Sequence, residues 1–280
     1  MDEQDDELAP VIARLKKDLR EAAKGLTTEE ARYLVDLYYQ LQGFRIAAGN
    51  QTREEKNGDG PPPEPNSLLR YLFEAMQVLE TVIPRAMDVY TDQYEMTVWA
   101  KTQYGIGPII AAGLYAHIDV TRAVTAGAVW RFAGLDPTSV WQKGERRPWN
   151  ARLKVLCWKI GQSFWKFHNR PACVYGHLAA ERKVYEEARN VGGGNAQCAA
   201  ETLAKRRITD PPTRAIYEAG KLPQGRLQRR AERYATKLFL AHYWQVGRES
   251  LGLPVPRPYV LDHGGHTHFI APPGWPLKKP

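Results

Sequence analysis

Apolar residues recur at intervals of three and four along most of this chain, the period of one face of an α-helix. Leu8, Val11, Ile12, Leu15 and Leu19 predict a helix over residues 6–24. Thr27 precedes Glu30 by three residues, the capping-box spacing, and Leu34, Leu37, Tyr38 and Leu41 carry an apolar stripe onward, so a second helix begins at Thr27 or Thr28. A turn at Gly25 would fold the two into a helical hairpin or an oligomerising arm over residues 1–48. Residues 49–66 include GDGPPPEP, whose four prolines cannot enter a helix, and read as a flexible linker. Helical stretches resume at 67–87, 89–102, 150–167 and 224–246, defining a body over residues 67–250 that Gly192, Gly193 and Gly194 interrupt. The tail, residues 251–280, holds seven of the 20 prolines, and its two candidate strands, 259–261 and 268–270, flank a turn at Gly264 and Gly265.

Composition narrows the class. Hydrophobic content of 43% and 25% charged residues suffice for a buried core. The longest nearly apolar run, residues 109–118, has about half the length that spans a bilayer. The acidic start, residues 1–7, resembles no signal peptide, so a soluble cytoplasmic protein with no membrane partner is expected. Three cysteines without a CxxC pair argue against a disulfide framework.

Charge changes the picture more, because the net +8 conceals a split. Residues 1–100 carry 11 basic and 19 acidic side chains, and residues 101–280 carry 28 and 12. Clustered Lys and Arg displace counterions from phosphates, so the second part is the expected polyanion-facing part. From Lys143 to Arg170 there are eight basic residues, Lys143, Arg146 and Arg147 among them, against the single acid Glu145. On a helical wheel Arg152, Lys159 and Lys166 form a line beside Leu153, Leu156, Ile160, Phe164 and Phe167. Trp158, Trp165 and Lys154 take a third side, suited to stacking on nucleotides, to another subunit, or to burial on two sides. Arg226, Arg230, Arg233 and Lys237 form a second stripe, with Glu232 as its local neutraliser. Both stripes are expected to contact nucleic-acid backbone, the alternative being a solvated face.

The run YGIGPIIAAGLYAHI, residues 104–118, predicts a helix, a glycine hairpin and a helix. Pro108 suits the first helical position, and the amides of Gly105, Gly107 and Ile109 would face a phosphate oxygen at that helix start. The alternative is a tight turn with no ligand. The fold expected is therefore mainly α: a helical bundle with a helix-hairpin-helix module at residues 91–117, an N-terminal helical arm and a short Pro-rich C-terminal hairpin.

GIGPIIAAGLYAHIDVTRAVTAGAVWRFAGLDP, residues 105–137, resembles the helix-hairpin-helix segment in the C-terminal domain of DEDD-type insertion-sequence transposases, the bridge-RNA-guided recombinases. The resemblance places the family's GIG hairpin at residues 105–107, its acidic residue at Asp119, its AGLxP turn at residues 133–137, and its basic, Asn-containing helix start in RPWNARLKVLCWKIGQSF, residues 147–164. YYQLQ at 38–42, LPQGRLQRRAERYATKLFL at 222–240 and GHTHFIAPPGW at 265–275 are similar to a divergent subfamily labelled transposase. It implies DNA as partner, with a guide RNA, self-association and a separate catalytic subunit as further partners to test. The family's RNase-H-like half has no counterpart, since residues 1–104 read as helical. The place of the family's nucleophilic serine falls near Gln142 and Lys143, and Ser139 is the nearest hydroxyl.

Asp262, His266 and His268, with His263, form a compact cluster in the tail that would take a divalent metal, zinc or manganese. His168, Cys173 and His177, with Cys157, are a weaker zinc set, because their spacing is not that of a usual structural site. Three functions follow: a transposase-like DNA-binding protein acting through backbone contacts, a metal-dependent nuclease or recombinase using the His cluster, and a non-catalytic helical scaffold of a mobile element.

Overall fold

In the computed structural model the chain is mainly α-helical, and the structure describes residues 16–51, 67–256 and 269–277. No strand occurs among the described residues. Most of the expected C-terminal hairpin, residues 257–268, lies outside them; Phe269 and Ile270 are described and are not strand. No helix among the described residues is long and apolar enough to cross a membrane.

The chain divides into two compact units, and the division does not follow the linker. The first unit comprises Met1–Lys101 and Gly107–Asp119. It holds α1 (Lys17–Lys24), α2 (Thr28–Gln51), α3 (Ser67–Thr91), nearly all of α4 (Glu95–Thr102), and α5 (Pro108–His117). Thr27 and Glu30 cap α2 reciprocally: the Thr27 amide donates to Glu30 Oε2 at 2.8 Å, and the Glu30 amide donates to Thr27 Oγ1 at 3.2 Å. Rather than standing out as an arm, α2 lays Ala31 and Val35 into a core with Ile83, Met87 and Tyr90 of α3 and Ile109, Ala112 and Ala116 of α5. Its Arg32 also donates from Nε to the Ala116 carbonyl at 2.6 Å. The helix α5 is apolar nearly all round, which suits burial on several sides.

The second unit comprises Thr102–Ile106 and Val120–Pro280. It holds α6 (Ala126–Phe132), α7 (Ala151–Lys166), α8 (Val174–Val191), α9 (Ala196–Lys205), α10 (Pro211–Glu218) and α11 (Gln224–Ser250). The long α11 is the axis, packing against α6, α7 and α8. Phe164, Tyr175 and Phe239 form its aromatic centre, with ring centroids 4.9 to 5.4 Å apart. Gly176 lets α8 approach closely, since a Cβ there would sit 2.8 Å from the Phe164 carbonyl oxygen. His242 ties two distant segments to α11: Nδ1 meets the Tyr175 hydroxyl at 2.7 Å and Nε2 meets the Ile270 carbonyl at 2.8 Å. Ala199, Tyr217, Leu222 and Leu227 make a smaller core beneath α9 and α10.

Candidate nucleic-acid interface

The most distinctive chemistry of the second unit lies where α6, α7, α11 and the segment 133–150 meet. Gly134 ends α6 at φ +67°, with its amide donating to the Arg131 carbonyl at 3.1 Å and the Leu135 amide to the Trp130 carbonyl at 2.8 Å. That is a Schellman cap, which needs the left-handed conformation glycine adopts freely. The same glycine leaves room for two side chains from further along. A Cβ on it would sit 2.8 Å from Trp149 Cγ and 3.0 Å from Lys154 Cδ. Asn150 fixes the return of the chain, its amide donating to the Phe132 carbonyl at 2.9 Å while Oδ1 accepts from the Leu153 amide at 3.0 Å and caps α7.

These constraints interleave cations with indoles. Lys154 Nζ stands 4.0 Å from the Trp149 ring centroid, and Trp149 meets Trp141 edge-on at 6.4 Å. Arg147 lies over Trp141 at 5.3 Å and Lys237 over Trp130 at 4.3 Å, distances at which a cation is drawn to an aromatic face. Trp158, one helical turn beyond Lys154, is 49% exposed, an unusual setting for so large an apolar ring. Arg229 covers one of its faces at 5.2 Å. The buried Glu232 holds that guanidinium in place, accepting from Arg229 Nη1 at 2.6 Å, Gln228 Nε2 at 2.9 Å and Gln162 Nε2 at 3.2 Å. Arg229 has no place in the predicted stripe, because it sits one position off it. Its proximity to Glu232 on the same helix was the available signal.

The cations press on one another. Burial, then Arg233 and Arg147, lower the pKa of Lys154. Burial also lowers that of Arg233, and the positive charges of Arg230 and Arg226 add to it. Lys237 is lowered chiefly by burial, with Asp136 opposing and Arg233 reinforcing the shift. Among the described residues no carboxylate forms an ion pair with Arg147, Lys154 or Arg233.

The predicted stripe on α11 splits. Arg226 turns inward to Thr202 Oγ1 at 2.8 Å and the Tyr217 hydroxyl at 3.2 Å. Arg230 reaches Asn195 Oδ1 at 2.6 Å and Glu186 at 3.2 Å. Lys237 lies over Trp130 instead, and Arg233 acts electrostatically on Lys154 and Lys237. On α7, Arg152 and Lys166 are exposed while Lys159 is half-buried, which lowers its pKa; Lys143 and Arg146 are exposed in the preceding segment.

The hairpin glycines have different surroundings. Gly105, at φ +94°, accepts a hydrogen bond at its carbonyl from Ser163 Oγ at 2.6 Å, and a Cβ there would sit 2.9 Å from the same oxygen. Tyr104 beside it packs edge-on against Phe167 at 5.3 Å. Gly107 has open space around it and caps α5, its carbonyl accepting from the Ala111 amide at 3.0 Å, whereas Ile109 is buried. Ser139 lies in a turn, its amide donating to the Asp136 carbonyl at 3.3 Å.

Asp262, His263, His266 and His268 lie outside the described residues. Within them, no three His, Cys, Asp or Glu side chains converge as metal ligands. This corrects the zinc reading of His168, Cys173, His177 and Cys157. Burial pushes the Cys157 thiol up to about 12, far from a metal-binding thiolate, and His168 is stacked on Trp165 with Nδ1 on the Trp165 carbonyl.

No protein-family model matches the chain, and no curated protein or solved structure matches it.

Proposed function

We propose that this protein binds DNA through its phosphate backbone and acts in DNA transposition or recombination. Arg147, Lys154, Arg233 and Lys237 form the grip, with exposed Lys143, Arg146, Arg152 and Lys166 extending it. The observation that supports this reading is the cationic cluster itself: Arg147, Lys154 and Arg233 have no paired carboxylate among the described residues, and Arg147 and Arg233 both lower the proton affinity of Lys154. Like charges held together raise the energy of the free protein, and an incoming polyanion relieves that repulsion while releasing counterions. Backbone contacts of this kind position a duplex without reading its sequence. The transposition context rests on resemblance: that of residues 105–137 and 147–164, and that of residues 38–42, 222–240 and 265–275.

Fluorescence anisotropy of a labelled duplex tests it. The affinity is expected to fall by at least about tenfold between about 50 and 200 mM salt, as neutralisation of several phosphates requires. Absence of binding at the lower salt, or affinity that salt leaves unchanged, would overturn the proposal.

A further inference from the structure

Trp158 is not accounted for by backbone binding. Its indole projects from α7 with half of its surface in solvent, beside the exposed Val155 and one turn from Lys154. A ring in that position gains little from the core, yet it is prepared: Glu232, only 3% exposed, fixes the Arg229 guanidinium over one face. Trp165, which the sequence pattern puts on the same side, is instead packed away, stacked on His168 at 4.4 Å with Lys183 over it at 4.9 Å. An exposed indole with the Arg229 guanidinium over one face and Lys154 one turn away matches the chemistry of a base stacked on the other face with its phosphates held alongside. A duplex hides the faces of its bases, whereas an unpaired strand offers them.

We infer that Trp158 is a stacking platform for an unpaired DNA strand, with Arg229 as its cationic flank and Glu232 as the residue that positions Arg229. The inference rests on the DNA-binding reading above and goes beyond it in naming single-stranded DNA as the occupant of this face.

The test measures the full chain against a dT oligonucleotide of about 20 nucleotides, a duplex of the same length and the matching rU oligonucleotide, at one salt concentration. Wild type is expected to bind dT more tightly than duplex. Trp158→Ala is expected to lower the ratio of dT to duplex affinity by about tenfold, in line with the loss of one stacked base. Trp158→Phe, which keeps a π-face, is expected to retain most of the ratio. A wild-type preference for duplex, or a ratio unchanged in Trp158→Ala, overturns this inference and leaves backbone binding standing. Loss of self-association in Trp158→Ala with an unchanged ratio assigns the ring to a second copy of the chain and also overturns it. Tighter binding of rU than dT overturns DNA as the occupant. Binding to none of the three overturns both readings.

Discussion

At Gly134 one hydrogen atom carries two demands, a left-handed backbone and space for the Trp149 and Lys154 side chains. Gly134→Ala is expected to destabilise the second unit by about 1–3 kcal/mol, the range for a strained non-glycine backbone. Urea denaturation checks this, and an unchanged midpoint would remove Gly134 from the account. The glycine of the AGLDP run is the cap of α6. The sequence displayed that glycine but not its partner, because Trp149 returns to it through a segment without periodicity. Arg226, Arg230, Arg233 and Lys237 teach the same lesson. A helical wheel makes them equivalent, and only neighbours supplied by α8, α9 and α10 draw the first two inward.

At the scale of elements, the signals that depend on near neighbours were the legible ones. The Thr27 and Glu30 spacing gave a reciprocal cap, and the apolar positions Leu153, Leu156, Ile160 and Phe164 are all buried along α7. Thr27→Ala is expected to cost about 1 kcal/mol, the usual loss for an N-cap hydroxyl, read as a lower melting temperature. An unaltered melting temperature would show that the α2 start contributes nothing to cooperative unfolding. What the pattern did not convey is which further side each helix covers. Trp158 and Trp165 share a side by periodicity, and Lys183 of α8 covers the second while the first stays in solvent. Likewise, the apolar stripe on α2 fits an arm or a core equally well. Its packing with α3 and α5 joins segments on both sides of the linker in one unit, which local periodicity has no means of encoding.

Across the whole molecule, two charged properties have measurable consequences. Burial draws the His242 imidazole from its ordinary 6.5 down to about 4, so between those values the unfolded chain binds a proton that the folded chain excludes. Stability is therefore full above about 6.5 and declines as pH falls toward 4, by at most about 1.4 kcal/mol per pH unit from this group. His242→Gln is expected to flatten that part of the profile in urea titrations at successive pH values; an identical slope in variant and wild type would exclude His242 as its source. The second property is the uneven charge along the chain, whose net +8 arises from an acidic first 100 residues and a basic remainder. Within the basic remainder, Arg226 and Arg230 serve the fold, while Arg147, Lys154 and Lys237 lie over indoles and Arg233 acts on Lys154 and Lys237. The most direct test of the claim that this cluster grips DNA is the slope of log affinity against log salt for a duplex, compared between wild type and a Lys154→Ala, Arg233→Ala double variant. Two lost phosphate contacts predict a slope shallower by about two, with weaker binding at low salt; identical slopes would contradict the account.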